Sequence, residues 1–266
     1  MNYWTQSAEN IYVAAHRGWC AKYPENTMEA IRAAGELGVD QIEVDIRVTR
    51  DGELVLIHDD TVDRTTNGTG RVCDYTFEEL RKLDAGCKFG RGEHAGAIIP
   101  TLDELMEYAS ALPAMTLDLE LKVYPSEGNE ELAYSVCDRV IAKVEEYGFA
   151  DRVVLNSFSA LLHEYILKKY GDRYRQHVYF PERHNHGATI SPYSYAYCVC
   201  MFGDNYGMAS PEEFAKMRES GVRTWAGAGV RDAEGVDMAI KCGAELITCN
   251  NPDVILSLLR QRGRHA

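Results

Sequence analysis

The sequence predicts an α/β fold, namely a closed (β/α)8 barrel (TIM barrel) with a small insertion after the second βα region. About eight short apolar runs have the character of strands, and most are followed by a helical pattern. The chain length of 266 residues is close to the roughly 250 residues typical of this barrel. A doubly wound open sheet is the rival fold, but the first strand is not followed by a GxGxxG sequence. We therefore interpret residues 1–266 as a single barrel domain.

The first βα unit has the clearest local signals. Residues 11–15 form an apolar run that predicts a strand. A helix is expected from about Thr27, with Asn26 as its N-cap, because apolar residues then recur at helical spacing. The recurring residues are Ala30, Ile31, Ala34 and Leu37.

The later elements follow from the same criteria. Residues 42–49 predict a strand, residues 50–52 a turn, and residues 53–59 a returning strand. Ser210 and Glu213 form a capping box, which marks the start of a helix. The remaining predicted strands are 115–122, 153–158, 177–180, 197–202, 223–229 and 245–250. The remaining predicted helices are 102–110, 129–147, 159–170, 210–220, 233–242 and 252–262.

Residues 60–100 interrupt this alternation of strands and helices. The segment is rich in turn-forming residues and contains one short helical pattern. We interpret it as an insertion on a barrel loop. Because loops on a rigid scaffold usually adjust function, we expect it to lean over the barrel mouth and limit which substrates fit.

Two of the predicted strands carry charged residues on one face. In IEVDIRVT at 42–49 and TLDLELKV at 116–123, apolar and mostly charged residues alternate. This period usually indicates a half-buried strand whose polar face meets water. In a barrel, however, the apolar faces meet the surrounding helices, so the charged faces point into the mouth. The two strands therefore predict a site at the mouth.

The candidate site residues lie at the carboxyl ends of predicted strands, where barrel enzymes place their catalytic groups. Neighbouring carboxylates raise each other's pKa unless a cation neutralises them, and ligands that are all oxygen favour one divalent cation, Mg²⁺ or Ca²⁺. Histidines supply acid and base groups, whereas arginine and lysine suit an anion such as phosphate. The combination suggests metal-assisted chemistry on a phosphoryl ester. The residues are His16, Arg17, Glu43, Asp45, His58, Glu120 and Lys122.

Composition limits the partners and the cellular location. The net charge of −13 argues against nucleic acid as the main partner, because a polyanion requires a basic face. The amino terminus lacks the features of a signal peptide, and no stretch approaches the roughly 18 apolar residues of a membrane span. We therefore expect a cytoplasmic protein that acts on a small molecule, in an oligomeric state that the sequence leaves open.

These residues also resemble those of the glycerophosphodiester phosphodiesterase family. The resemblance is dense over the first 125 residues, and the combination of HRG, PENT, ExD, a later histidine and ExK is very specific. The matching segments are HRG at 16–18, PENT at 24–27, EVDIRVTRDGELVLIHDDTVDRTTNGTG at 43–70, LDAG at 83–86, IPTLDEL at 99–105, LDLELK at 117–122 and SF at 157–158.

The resemblance implies a barrel with an insertion between its second and third units, and it implies a role for each matched residue. The family binds one divalent metal and a small phosphodiester. The implied roles are acid–base catalysis for His16 and His58, metal binding for Glu43, Asp45 and Glu120, and phosphate binding for Arg17 and Lys122.

The chain departs from the family pattern near the seventh and eighth strands. The family usually has W-T-V-N at the former, where residues 225–228 read WAGA. It usually has T-D-x-P at the latter, where residues 248–252 read TCNNP. These departures leave the metal set intact and bear on the alcohol or head-group contacts. We predict Trp225 as a substrate-binding residue, with a core or rim aromatic as the alternative.

The leading hypothesis for function is a metal-dependent hydrolase that cleaves a glycerophosphodiester to glycerol 3-phosphate and an alcohol. A lysophospholipase D acting on acylated substrates is the nearer rival, but residues 60–100 are more polar than a membrane-facing insertion would be. A barrel that binds a phosphodiester without hydrolysing it is the alternative from another class. The intact set of histidines, carboxylates and lysine argues against it.

Overall fold

The fold is a closed barrel of parallel strands. The computed structural model describes residues 4, 9–126 and 128–266. The strands are β1 Tyr12–His16, β2 Gln41–Val48, β3 Leu54–Leu56, β4 Thr116–Leu121, β5 Val153–Asn156, β6 Arg175–Phe180, β7 Cys198–Met201, β8 Arg223–Ala226 and β9 Leu246–Cys249. Eight of these strands pair in parallel, and β1 closes the barrel by pairing with both β2 and β9. Strand β3 returns antiparallel along β2. The closed barrel of eight parallel strands confirms the predicted fold class.

Helices surround the barrel. They are α1 Met28–Leu37, α2 Phe77–Leu80, α3 Leu102–Ser110, α4 Glu130–Glu146, α5 Ala160–Tyr170, α6 Pro211–Glu219, α7 Ala233–Cys242 and α8 Pro252–Gln261. The predicted capping box of α6 is confirmed, because Ser210 Oγ accepts a hydrogen bond from Glu213 N at 3.3 Å and the Glu213 side chain accepts from Ser210 N. Within the described ranges, no helix is both long enough and apolar enough to cross a bilayer.

The cap of helix α1 is Thr27 and not Asn26, so the predicted cap is wrong. Thr27 Oγ1 accepts a hydrogen bond from Ala30 N at 3.3 Å. Asn26 has a left-handed backbone with φ of 56°, and its side-chain amide donates to Asp45 Oδ2 at 2.7 Å. The residue expected to begin the helix is therefore committed to a carboxylate at the barrel mouth.

The two faces of each strand divide as the alternation predicts. Val44 of β2 and Leu119 of β4 lie in the main hydrophobic core together with Ile31 of α1 and Leu105 of α3. The other face of each strand points into the barrel. The charged residues of β2 and β4 are therefore buried by the barrel and not exposed on an edge.

Residues 60–100 pack beside the barrel, so the expectation that they lean over its mouth is wrong. Val62, Val72 and Leu80 form a small hydrophobic cluster with Val55 of β3. This cluster holds the segment against the outside of the hairpin. No residue of 60–100 lines the mouth cavity described below.

Candidate active site

A cavity of about 390 Å³ opens at the carboxyl ends of the barrel strands. Asp45 does not line it directly but lies fully buried beside two residues that do. The structure therefore brings together every predicted site residue except Trp225. The predicted residues that line the cavity are His16, Arg17, Glu43, His58, Glu120 and Lys122.

Glu43, Asp45 and Glu120 form a compact carboxylate cluster. The spacing of two residues puts Glu43 and Asp45 on one face of β2, and Asp45 is the register partner of Glu120 on β4. One oxygen from each side chain lies within 4.8 Å of the other two. All three residues are at most 5% exposed, so their charges interact with little screening by water.

Two cations contact this cluster. Lys122 Nζ lies 2.6 Å from Glu120 Oε1 and 3.3 Å from Asp45 Oδ1. Arg17 Nε lies 3.2 Å from Asp45 Oδ2, and the Arg17 backbone N–H donates to Glu43 Oε2 at 2.7 Å. The backbone of Arg17 is left-handed, with φ of 55°, and this turn at the end of β1 aims its amide at the cluster.

Burial and the neighbouring charges shift the pKa values of all three carboxyls in the cluster. Burial, reinforced by the charges of Asp45 and Glu120, raises the pKa of Glu43 well above its usual range. Burial also raises the pKa of Glu120 to about 7, although Lys122 acts in the opposite direction. Burial opposes ionisation of Asp45 too, but Lys122 and Arg17 outweigh it and lower the pKa of that carboxyl.

The donor set fits a divalent metal ion. It offers three carboxylates, all buried and within 4.8 Å of one another, and hard cations such as Mg²⁺ and Ca²⁺ prefer oxygen ligands. Three carboxylates against two cations leave one net negative charge in a buried site. A metal ion would favour the ionised carboxylates and so counteract the burial, and the repulsion added to it, that raise the pKa values of Glu43 and Glu120.

His16 is oriented by Asn250. Its Nδ1 lies 2.7 Å from Asn250 Oδ1, and its Nε2 lies 3.9 Å from Glu43 Oε2. Burial, with the charge of Arg17, lowers the pKa of His16 to about 4, so the ring is neutral near pH 7. Asn250 stands two residues before Pro252, where the T-D-x-P pattern has its acid. The departure from the family pattern therefore reaches a predicted catalytic histidine.

Arg64 of the insertion supports both His58 and Arg17 through the acidic residues that contact them. His58 Nδ1 lies 2.6 Å from Asp59 Oδ1, and Arg17 donates to Glu25 at 2.8 Å. Arg64 binds both acids: its Nε lies 2.6 Å from Asp59 Oδ2, and two of its nitrogens lie 2.8 Å from the oxygens of Glu25. Burial, followed by nearby cations, lowers the pKa of His58. The insertion thus supports the site through Arg64 without covering it.

Among the further polar residues that line the cavity, Asp118, Asn156 and His177 are buried and were not predicted to function. His177 Nδ1 lies 2.8 Å from Asp118 Oδ2 across a separation of 59 residues. Strand alternation places Asp118 on the same face as Glu120, which is a signal that the sequence contains. The partnership with His177 depends on the closed barrel and has no local signal.

One wall of the cavity is aromatic. Tyr179 stacks on Phe158 with ring centroids 3.8 Å apart and on Phe202 with centroids 5.5 Å apart. Tyr206 adds an edge contact to Phe202 at 5.4 Å and is 61% exposed at the rim. Phe158 belongs to the SF segment of the resemblance, whereas the other three rings were not predicted. The wall gives the cavity an apolar side, and Lys122 Nζ lies 5.8 Å from the centroid of the Phe158 ring.

The prediction that Trp225 binds substrate is wrong. Trp225 is 2% exposed and belongs to an apolar cluster inside the barrel with Val154 and Leu246. Its ring lies 4.8 Å from the ring of His177, and it does not line the mouth cavity. The inward face of β8 places this residue one layer below the mouth, so it fills the core.

Comparison with known sequences agrees with this geometry. Residues 16–254 match the model of the glycerophosphoryl diester phosphodiesterase family. A glycerophosphodiester phosphodiesterase of Caldanaerobacter subterraneus subsp. tengcongensis is 36% identical over 257 residues, covering 94% of this chain and 98% of that protein. Glycerophosphodiester phosphodiesterase 1 of Homo sapiens is 50% identical over 97 residues, covering 36% of this chain and 29% of that protein.

Solved structures share the fold. A glycerophosphodiester phosphodiesterase from Agrobacterium tumefaciens superposes with a TM-score of 0.73 at 25% identity, covering 92% of this chain and 98% of that one. A phosphodiesterase from Oleispira antarctica, solved in complex with the product sn-glycerol-3-phosphate, gives a TM-score of 0.78 at 24% identity, covering 96% and 100%. Because the family model matches most of its length and a relative matches nearly end to end, this chain belongs to the glycerophosphoryl diester phosphodiesterase family.

Proposed function

We propose that this chain hydrolyses a glycerophosphodiester to glycerol 3-phosphate and an alcohol such as choline or ethanolamine. The observation that carries the proposal is the buried carboxylate cluster with Arg17 and Lys122 in contact with it. With all three carboxylates ionised, the cluster and its two cations carry one net negative charge, which a divalent ion would change to one net positive charge. That value matches the single negative charge of a phosphodiester.

In this proposal Glu43, Asp45 and Glu120 hold one divalent cation, Mg²⁺ or Ca²⁺. When bound, such a cation polarises the phosphoryl group and offsets its negative charge. Arg17 and Lys122 donate hydrogen bonds to phosphate oxygens, because both line the cavity and both carry a fixed positive charge. The aromatic wall offers the bound substrate an apolar surface next to these groups.

His16 and His58 are the proposed proton-transfer groups. One takes a proton from the attacking oxygen, which belongs to water or to the substrate's own glycerol hydroxyl; the second route passes through a cyclic phosphate. The other protonates the alkoxide that leaves as the P–O bond to the alcohol breaks. Asn250 and Asp59 engage Nδ1 of the two rings, which leaves each Nε2 available for transfer over roughly 3 Å in the bound complex.

A product-release assay tests the proposal. Purified chain is incubated with glycerophosphocholine in chelator, and then with Mg²⁺ or Ca²⁺ added back. We expect chelation to abolish choline release and one of the two ions to restore it. Glu120→Gln should weaken metal binding, measured by calorimetry, without lowering Tm, because it removes a buried charge from a repulsive cluster. Glu78→Gln is the matched control, since that side chain is 85% exposed.

Two outcomes would contradict parts of this account. Full activity in excess chelator would show that the carboxylate cluster does not serve a metal. No release from any glycerophosphodiester, with either ion present and the chain folded, would refute the hydrolase itself. A Glu120→Gln variant with unchanged metal affinity would remove that residue from the ligand set.

A further inference from the structure

The floor of the cavity contains a polar group of residues that the proposed reaction does not use. Asp118, Asn156 and His177 project inward from the adjacent strands β4, β5 and β6 and line the cavity. They are 0%, 2% and 3% exposed. This is an unusual place for three polar side chains unless something binds them, because buried polar groups normally have hydrogen-bond partners.

The ring of His177 is fixed in orientation. Its Nδ1 lies 2.8 Å from Asp118 Oδ2. Its ring lies 4.8 Å from that of Trp225, nearly edge-on, and 5.3 Å from that of Tyr179. The opposite nitrogen, Nε2, is buried and has no hydrogen-bond partner within the described part of the chain.

Two of the three unpartnered atoms of the floor are oxygens that accept hydrogen bonds. Among the residues that the structure describes, Asp118 Oδ1 and Asn156 Oδ1 have no hydrogen-bond partner, like His177 Nε2. Because the Asp118 carboxylate accepts the Nδ1 proton, a neutral His177 presents a lone pair at Nε2. Phosphate oxygens are acceptors too and cannot satisfy these atoms, whereas a hydroxyl group can donate to one of them.

We propose that this floor binds a hydroxyl group of the substrate's glycerol, with His177 Nε2 as the acceptor and Asp118 as the positioning residue that fixes its tautomer. The inference rests on the proposed function, because glycerol is the part that every substrate of that reaction shares. The floor is buried and takes a small group, whereas the rim near Asn205, Tyr206 and Arg231 is exposed and suits a variable head group.

The test compares glycerophosphocholine with an analogue that lacks only the terminal glycerol hydroxyl and keeps the central one. Wild type should prefer the full substrate in kcat/KM by roughly 10- to 100-fold, because a site built for a hydroxyl is left unpaired by the analogue. His177→Phe should lower kcat/KM for the full substrate by the same factor and leave the analogue nearly unchanged. The preference should therefore disappear.

Two further variants separate a binding role from a structural one. Asp118→Leu should reduce the preference, and Asp118→Asn, which keeps an oxygen beside Nδ1, should restore part of it. Gln41→Met is the matched control, since Gln41 is a buried interior residue whose amide also lacks a partner among the described residues and which does not line the cavity. This control should keep the wild-type preference.

A binding measurement gives a readout that needs no turnover. Calorimetry measures the affinity for sn-glycerol 3-phosphate and for its analogue without the terminal hydroxyl. Tighter binding of sn-glycerol 3-phosphate than of the analogue by wild type, and loss of that difference in His177→Phe, would support the inference. A His177 variant that folds and keeps the wild-type preference would overturn it. A change in the ratio between choline and ethanolamine substrates instead would assign the floor to an ammonium group and also overturn it. If wild type hydrolyses nothing, the proposed function fails, and the calorimetry still decides whether the floor binds the hydroxyl.

Discussion

Replacing Lys122 with methionine measures how much its ammonium stabilises the buried carboxylates. The side chain is 6% exposed, and Nζ lies 2.6 Å from Glu120 Oε1 and 3.3 Å from Asp45 Oδ1. Methionine keeps most of the apolar stem and removes the charge. Breaking a buried pair in this way costs about 3–5 kcal/mol, which is a fall in Tm of roughly 6–20 °C for a domain of this size. The pKa of Glu120 is already about 7, so that carboxyl can take up a proton once Lys122 is removed. We therefore expect the loss of stability to lie at the lower end of this range.

The assay is thermal unfolding in chelator, followed by circular dichroism, with Lys143→Met as the matched control. Lys143 also contacts two carboxylates, those of Asp103 and Glu146, each at 3.0 Å. Its side chain is 31% exposed, and exposed pairs contribute only about 0–1 kcal/mol. The two substitutions remove the same charge from the same number of partners. A Lys122 variant as stable as the Lys143 variant would refute the reasoning.

The same substitution should strengthen metal binding while it abolishes activity. Without Lys122, the three carboxylates that would bind the metal are opposed by one cation and not two, so a divalent ion should bind about 10-fold more tightly or better, as judged from the strength of buried charge pairs. Calorimetric titration with Mg²⁺ and Ca²⁺ measures this. A lower affinity in the variant would show that Lys122 organises the ligands and does not compete with the metal for them.

Four other substitutions probe the supports of the site and its two histidines. Gly18→Ala should lower the free energy of unfolding by roughly 2–5 kcal/mol in denaturant titration, because at φ of 74° its Cβ would lie 2.6 Å from the carbonyl carbon of Ala30; wild-type stability would contradict this. Arg64→Leu should reduce kcat by roughly 10- to 100-fold, since small displacements of site residues are costly, and an unchanged kcat would show that the acids it binds need no clamp. His16→Ala and His58→Ala should each lower kcat by roughly 10²-fold or more with metal affinity nearly kept, and near-normal turnover would remove that histidine from the mechanism.

The charged part of the site could be predicted because it depends on strand periodicity alone. The alternation in β2 and β4 assigns Glu43, Asp45 and Glu120 to one face, and closure of the barrel turns that face inward. No information about distant parts of the chain is needed. The position at the mouth then follows from their place near the carboxyl ends of the strands.

Prediction failed where a local signal fits two roles. Asn26 has a side chain suited to a helix cap, but Asp45 engages it and Thr27 caps the helix. A tryptophan such as Trp225 could line a substrate pocket or fill the core. Its position on the inward face of β8, below the mouth, places it in the core. The pair of Asp118 and His177 lies further out of reach, because it depends on the register of β4, β5 and β6 together.

The interior of the barrel is layered along its axis, and this arrangement decides how strongly each charge acts. Towards the amino ends of the strands the inward residues include an apolar group with Ala14, Val154 and Leu246, beside the buried amide of Gln41. Above them lies the polar floor, and above that the charged cluster, so the cluster is backed by a layer that excludes water. Lys122 and Lys143 each hold two carboxylates at similar distances, yet only the first is embedded in these layers. Because screening by water and salt weakens exposed charges far more than buried ones, position in the barrel and not pair geometry should determine the difference between the two variants.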